Sequence, residues 1–139
     1  MASIFELQNP PFGQLTKTKV IKTENGAHTL TTAELIEGIV DGTPTGNRAV
    51  TTPTAAEILT ALGIQNKVGQ TFELTIVNKA TSTHKFTLTA GSNVTIVGDA
   101  DVTAASSGTF IFRVTSSTAV SAFRTVSYTH LTLPTTLVV

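Results

Sequence analysis

The chain contains no cysteine and no tryptophan. The first absence excludes disulfides, thiolate metal ligands and a cysteine nucleophile together. Charge is also scarce, at 13% of residues, against about 25% in an ordinary soluble domain. Nine Lys and Arg balance nine Asp and Glu, for a formal net charge of +0. With no basic run to neutralise phosphates, nucleic-acid binding is not expected. A basic amphipathic helix for a membrane surface is missing too. No segment approaches the roughly 18 consecutive apolar residues of a membrane span. The stretch Met1 to Gly13 lacks a basic region followed by an apolar run, so no classical secretory leader is expected. The motifs G-x-S-x-G, GxGxxG and Walker A do not occur, which removes the usual nucleophile elbow and phosphate loops.

What the chain does have is one domain's length, 139 residues, with 40% hydrophobic residues and a wealth of Thr, Ser and Gly. Residues 1–15 read as an extended arm carrying Ile4, Phe5, Leu7 and Phe12, broken at Asn9-Pro10-Pro11-Phe12-Gly13. Residues 16–125 read as a single β-rich domain. Thr18 to Thr23 alternates around Val20, and Glu24-Asn25-Gly26 is a hairpin-type turn with Ala27 to Leu30 returning. Thr31 with Glu34, and Thr54 with Glu57, have the spacing of capping boxes. The first precedes Leu35, Ile36, Ile39 and Val40 on one helical face, with Gly42 as the stop. The second follows Pro53 and precedes Ile58, Leu59 and Leu62, with Gly63 as the stop. The two stretches resemble each other, but a single pair falls short of a repeat. Asp41 to Thr52 is read as the connecting loop.

From Gly69 the period changes to two. Phe72, Leu74 and Ile76 alternate with Thr71, Glu73 and Thr75; Phe86 and Leu88 alternate with Lys85, Thr87 and Thr89. Val94 and Ile96, then Val102 to Ala104, then Phe110, Phe112 and Val114 across Ile111 and Arg113, and finally Val120 to Arg124, complete the set. Short strands at this spacing predict a mainly β fold: a small antiparallel β-sandwich or jelly-roll-like barrel with two short helices and an extended N-terminal arm. Outward positions are mostly Thr, which suits a pleated, solvated surface.

Candidate chemistry is thin. Glu34, Glu37 and Glu57 fall in helix first turns or faces, where capping accounts for them. His28 and His84 lack a second ligand at metal spacing. Asp99 and Asp101, near Asn93, could offer oxygens to calcium, but the twelve-position loop pattern is absent. No catalytic residue, cofactor or metal is expected.

Two resemblances complete the reading. Val126 to Thr135 looks like the in-frame translation of a transposase sequencing adapter, followed by barcode-derived codons. Residues 126–139 are therefore expected to be a non-native tail, and Tyr128 and His130 carry no chemistry. Separately, Thr29-Leu30-Thr31-Thr32-Ala33-Glu34-Leu35-Ile36, Thr52-Pro53-Thr54-Ala55-Ala56-Glu57-Ile58-Leu59 and Val68-Gly69-Gln70-Thr71-Phe72-Glu73-Leu74-Thr75-Ile76-Val77-Asn78 form a recurring order, followed by Ala90 to Gly98 and Ser107 to Thr115. This order resembles the small capsid-associated β domains of tailed bacteriophages and marine viruses, of the head-fibre and decoration type. The resemblance spans about residues 29 to 124 and specifies a fold better than a function. It implies a non-enzymatic homotrimer on the virion surface whose partner is the major capsid protein, with Phe5, Leu7 and Phe12 of the arm as candidate capsid or protomer contacts. The alternatives are a tail or head fibre tip that binds host glycan, and a bacterial surface adhesin-like module.

Overall fold

The computed structural model describes residues 19–129. Among the described residues, ten strands lie in two sheets that share one hydrophobic core. They are β1 (Ile21–Thr23), β2 (His28–Thr29), β3 (Gly38–Gly42), β4 (Arg48–Thr51), β5 (Thr71–Asn78), β6 (Phe86–Thr89), β7 (Val94–Val97), β8 (Asp101–Val102), β9 (Ser106–Ser116) and β10 (Ala119–Thr129). Two helices accompany them, α1 (Thr32–Leu35) and α2 (Ala55–Leu62). The larger sheet runs β1-β3-β5-β9-β10-β7 and the smaller β2-β4-β6-β8. The fold is therefore the mainly β sandwich with two short helices that the alternation predicts.

Strand direction differs from expectation. Of the eight strand pairings, β1 with β3, β3 with β5, β2 with β4, β4 with β6, and β7 with β10 are parallel. Only β5 with β9, β9 with β10, and β6 with β8 are antiparallel. The cause is a winding path that alternation alone does not reveal. One turn of chain places β1 in the large sheet, β2 in the small sheet and then α1. The next turn repeats this with β3, β4 and α2, and β5 and β6 open a third. Ile21 thus registers with Ile39 and Ile39 with Thr75, while His28 registers with Val50 and Val50 with Leu88. The paired Thr-x-Ala-Glu stretches mark equivalent points of the first two turns.

Three local expectations are corrected on the same ground. The Asn25-Gly26 turn does not close a hairpin, because β1 and β2 belong to different sheets. It rounds a corner instead: the Glu24 carboxylate accepts the Gly26 amide at 3.1 Å, and Asn25 Oδ1 accepts the Thr43 amide of the next turn at 2.8 Å. The first helix stops at Leu35 rather than reaching Gly42. Ile39 and Val40, β-branched, are taken into β3 between two parallel neighbours. Glu37 adopts φ 60, and the chain then passes so close to the helix that a Cβ on Gly38 would lie 1.8 Å from the Glu34 carbonyl oxygen. Finally, the expected loop of Asp41 to Thr52 contains β4.

Both capping boxes form as read. Thr31 Oγ1 accepts the Glu34 amide at 3.2 Å while Glu34 Oε1 accepts the Thr31 amide at 3.0 Å. Thr54 and Glu57 repeat the exchange at 3.2 and 2.9 Å. The core between the sheets holds Leu74, Ile76, Phe86, Leu88, Phe110, Phe112 and Val114, all buried. Phe72 and Phe112, in register across β5 and β9, stack with ring centroids 5.0 Å apart. Each such side chain contributes roughly 1.5–3 kcal/mol by leaving water. Ile58 and Leu59 of α2 and Leu35 of α1 join the same core. β10 continues antiparallel to β9 through Thr129, with its register shifted between Arg124 and Val126, where the adapter-like sequence begins.

Candidate functional site

The arm residues Phe5, Leu7 and Phe12, expected to make capsid or protomer contacts, lie outside the described residues. The other candidates can be placed individually.

His28 lies between two carboxylates. Its Nε2 is 2.9 Å from Glu34 Oε1 and its Nδ1 is 3.8 Å from Glu24 Oε2. Lys22 adds a cation 3.7 Å from Glu24 and 4.0 Å from Glu34. Partial burial acts to raise the Glu34 pKa. The Thr31 amide, the His28 ring and the Lys22 charge outweigh it and leave the group below the usual carboxylate value. The Gly26 amide is the main influence holding Glu24 low. These carboxylates are occupied as helix cap and corner brace, so the cluster ties the first turn of chain together. No group of three or more His, Asp or Glu with metal-site geometry occurs among the described residues.

Glu57 is likewise committed to its cap. Glu37 accepts the Glu73 amide at 3.1 Å and lies 3.5 Å from Lys19. Glu34, Glu37 and Glu57 therefore each accept a separate backbone amide.

The Asp99 and Asp101 pair, weighed as calcium ligands, is organised by cations of the chain itself. Asp101 receives Lys85 Nζ at 2.6 Å and Thr87 Oγ1 at 2.7 Å. Asp99 Oδ1 accepts the Asp101 amide at 3.0 Å. Arg124 Nη1 donates to both carbonyl oxygens, Asp99 and Asp101, at 2.8 Å each. An arginine of β10 thus holds the main chain of this loop. The backbone carbonyl of Asn93, the third suggested ligand, accepts the Val120 amide at 3.2 Å.

An open groove of about 740 Å³ runs between the start of α1 and the outer side of α2, lined by Thr29, Thr31, Thr32, Pro53, Glu57 and Thr60 among others. Leu30, Ala56 and Ala61 share its lining with these threonines, and no aromatic does. Two of its polar side chains, Thr31 and Glu57, are already engaged in the capping boxes.

The most distinctive surface is one the sequence reading passed over. On the outer face of the large sheet, Glu73, Ile111, Phe123 and Val97 are consecutive register partners across β5, β9, β10 and β7. Val97 is 44% and Phe123 37% exposed. Ile111 is half-buried, and Glu73 is exposed. The neighbouring row is Thr71, Arg113, Ser121 and Thr95. A row of large apolar side chains thus crosses a face whose adjoining positions on β5, β9 and β10 are mostly Thr and Ser. The signal was available: Ile111 stands between the inward Phe110 and Phe112, and Phe123 follows the inward Ala122, so each must point outward. At the far edge of the same sheet, Ile21 on β1 is 64% exposed.

No helix among the described residues is long and apolar enough to cross a membrane. Comparison with protein-family models, curated proteins and solved structures finds no match to this chain.

Proposed function

We propose that this chain is a non-enzymatic structural protein of a virus particle, a capsid decoration or head-fibre subunit that sits on the capsid surface as a homotrimer. The observation that carries the reading is the Ile111, Phe123 and Val97 row on the outer face of the large sheet. Apolar side chains aligned on a solvent-facing sheet favour contact with protein. The motif order from Thr29 to Thr115, which resembles virion surface domains, supports the same reading. The charged side chains also fit it, since Glu34, Glu57 and Asp101 brace the fold. In this reading the partners are copies of the chain and the major capsid protein, and the protein's place is the virion surface.

The test is cosedimentation of the chain with empty capsids assembled from the major capsid protein of the same genome. Saturable binding in multiples of three is expected. A chain that stays in the supernatant at all concentrations overturns the reading. In the host-glycan alternative, the groove beside α2, lined in part by Thr hydroxyls, would take the sugar. Glycan-array binding that is lost on substitution of Thr60 would favour a fibre tip instead.

A further inference from the structure

We propose that the outer face of the large sheet is the self-association surface of the trimer, on which the Ile111, Phe123 and Val97 rows of three copies pack together around a threefold axis, with Arg113 of each copy facing Glu73 of the next. This rests on the assembly reading above and adds a specific surface and charge pairing to it.

Three features identify other copies of the chain as the occupants. First, Arg113 on β9 and Glu73 on β5 carry opposite charges at diagonal positions of neighbouring strands, and both are exposed. Neither the Arg113 guanidinium nor the Glu73 carboxylate has an ion-pair or hydrogen-bond partner among the described residues, while Glu37 beside Glu73 is already met by Lys19. Opposite charges flanking one apolar row make the face complementary to itself, because related copies bring each charge onto its opposite. Second, the formal net charge of the chain is +0, so copies approach without overall repulsion. Third, the row is apolar, with Thr and Ser around it: Thr71, Thr75, Thr109 and Ser121 surround Ile111 and Phe123 in register. An apolar centre with a hydroxyl rim is the usual anatomy of a protein contact. A glycan would have called for more hydrogen-bonding groups at that centre, and a nucleic acid for surplus cations.

The experiment measures the solution mass of the full chain by light scattering over a wide concentration range, for the wild type, Arg113→Glu, Glu73→Arg, the double reversal and Phe123→Ser. Thermal melting by circular dichroism checks that each variant is folded. The wild type is expected to associate as a trimer. Each single reversal should raise the dissociation constant by roughly tenfold or more, since like charges then face each other across the contact. The double reversal should restore association, and Phe123→Ser should abolish it.

A wild type that stays monomeric overturns the proposal. So does association that neither single reversal weakens, or single losses that the double reversal fails to repair. Capsid cosedimentation separates this proposal from the reading it rests on. A monomer that still binds capsids removes the self-association surface and leaves the virion reading. A chain that associates through this face but ignores capsids does the opposite.

Discussion

The Arg124 guanidinium lies against the Asp101 main chain: its Nη1 is 2.8 Å from the Asp101 carbonyl oxygen and equally 2.8 Å from that of Asp99. The same group stands 5.1 Å from the centroid of the Phe110 ring, and Gly108 passes beneath it. One side chain therefore joins β10 to the loop before β8 and lids the end of the core. Arg124→Ala removes two charge-assisted bonds and a cation–π contact and should cost about 2–3 kcal/mol. A Cβ on Gly108 would lie 2.7 Å from Arg124 Cζ. Gly108→Ala should therefore destabilise the wild type by displacing the guanidinium, but cost much less in the Arg124→Ala background. Denaturant melts of the four proteins measure the coupling, and additive losses would show that Gly108 acts independently of Arg124.

Asn78 is 1% exposed, yet every polar atom of its side chain is satisfied. Its Nδ2 donates to the His84 carbonyl at 3.0 Å and the Val102 carbonyl at 2.9 Å, while Oδ1 accepts the Ala80 amide at 2.9 Å. A single amide thus closes the connection between β5 and β6 and holds β8 to it. Asn78→Leu keeps the volume but orphans these backbone groups, and should cost about 2–4 kcal/mol. The corresponding fall in Tm is on the order of 10 °C. A change of only a degree or two would mean that water replaces the lost bonds.

These two residues also show how far the sequence could be read. The inward residues of β5 and β9 were plain, because Phe72, Leu74 and Ile76, and Phe110, Phe112 and Val114, alternate without interruption. The capping boxes were equally legible, since Thr and Glu three residues apart carry a local mechanism. Strand direction was not, because alternation looks the same for a parallel and an antiparallel neighbour, and the partners of Ile39 lie in other turns of the chain. Leu35, Ile36, Ile39 and Val40 satisfy a helical period and a strand period in succession, so only tertiary pairing decides where α1 ends. The role of Arg124 was hidden for a similar reason: its partners are backbone carbonyls 25 and 23 residues away. The outer row of Ile111, Phe123 and Val97 was present in the alternation, but the row exists only once three strands are set in register.

The two helices should respond unequally to loss of their caps. Thr31→Ala and Thr54→Ala each remove a hydroxyl that accepts a first-turn amide, a change worth about 1 kcal/mol. Their surroundings differ. Glu34, the partner of Thr31, is also held by His28 at 2.9 Å, whereas Glu57 relies on Thr54 for both of its bonds. With four residues, α1 is a turn pinned by neighbours, while the eight residues of α2 depend more on their own start. Thr54→Ala is therefore expected to be the more destabilising of the two by chemical denaturation. The reverse order would place the main anchor of the first turn at Thr31 itself.

Acidification should weaken the fold through two matching ion pairs. Asp101 is lowered from its ordinary pKa first by the Lys85 hydrogen bond and then by Thr87, against a modest opposing effect of burial. Asp41 is lowered in the same way by Lys79 at 2.9 Å and Thr23 at 2.8 Å. A carboxylate with a lower pKa folded than unfolded adds stability at pH values above its unfolded pKa, about 3.9. That stability is lost as pH falls through the unfolded value towards the folded one. The melting temperature should therefore change little through these groups between neutrality and about pH 5, and fall below it. Asp101→Asn cannot ionise, so it should begin less stable at neutral pH and show a shallower decline in acid. Both pairs are partly exposed, so added salt should reduce the effect. An acid limb of the same depth in wild type and Asp101→Asn would assign the pH dependence to other carboxylates, with Asp41 the next to substitute.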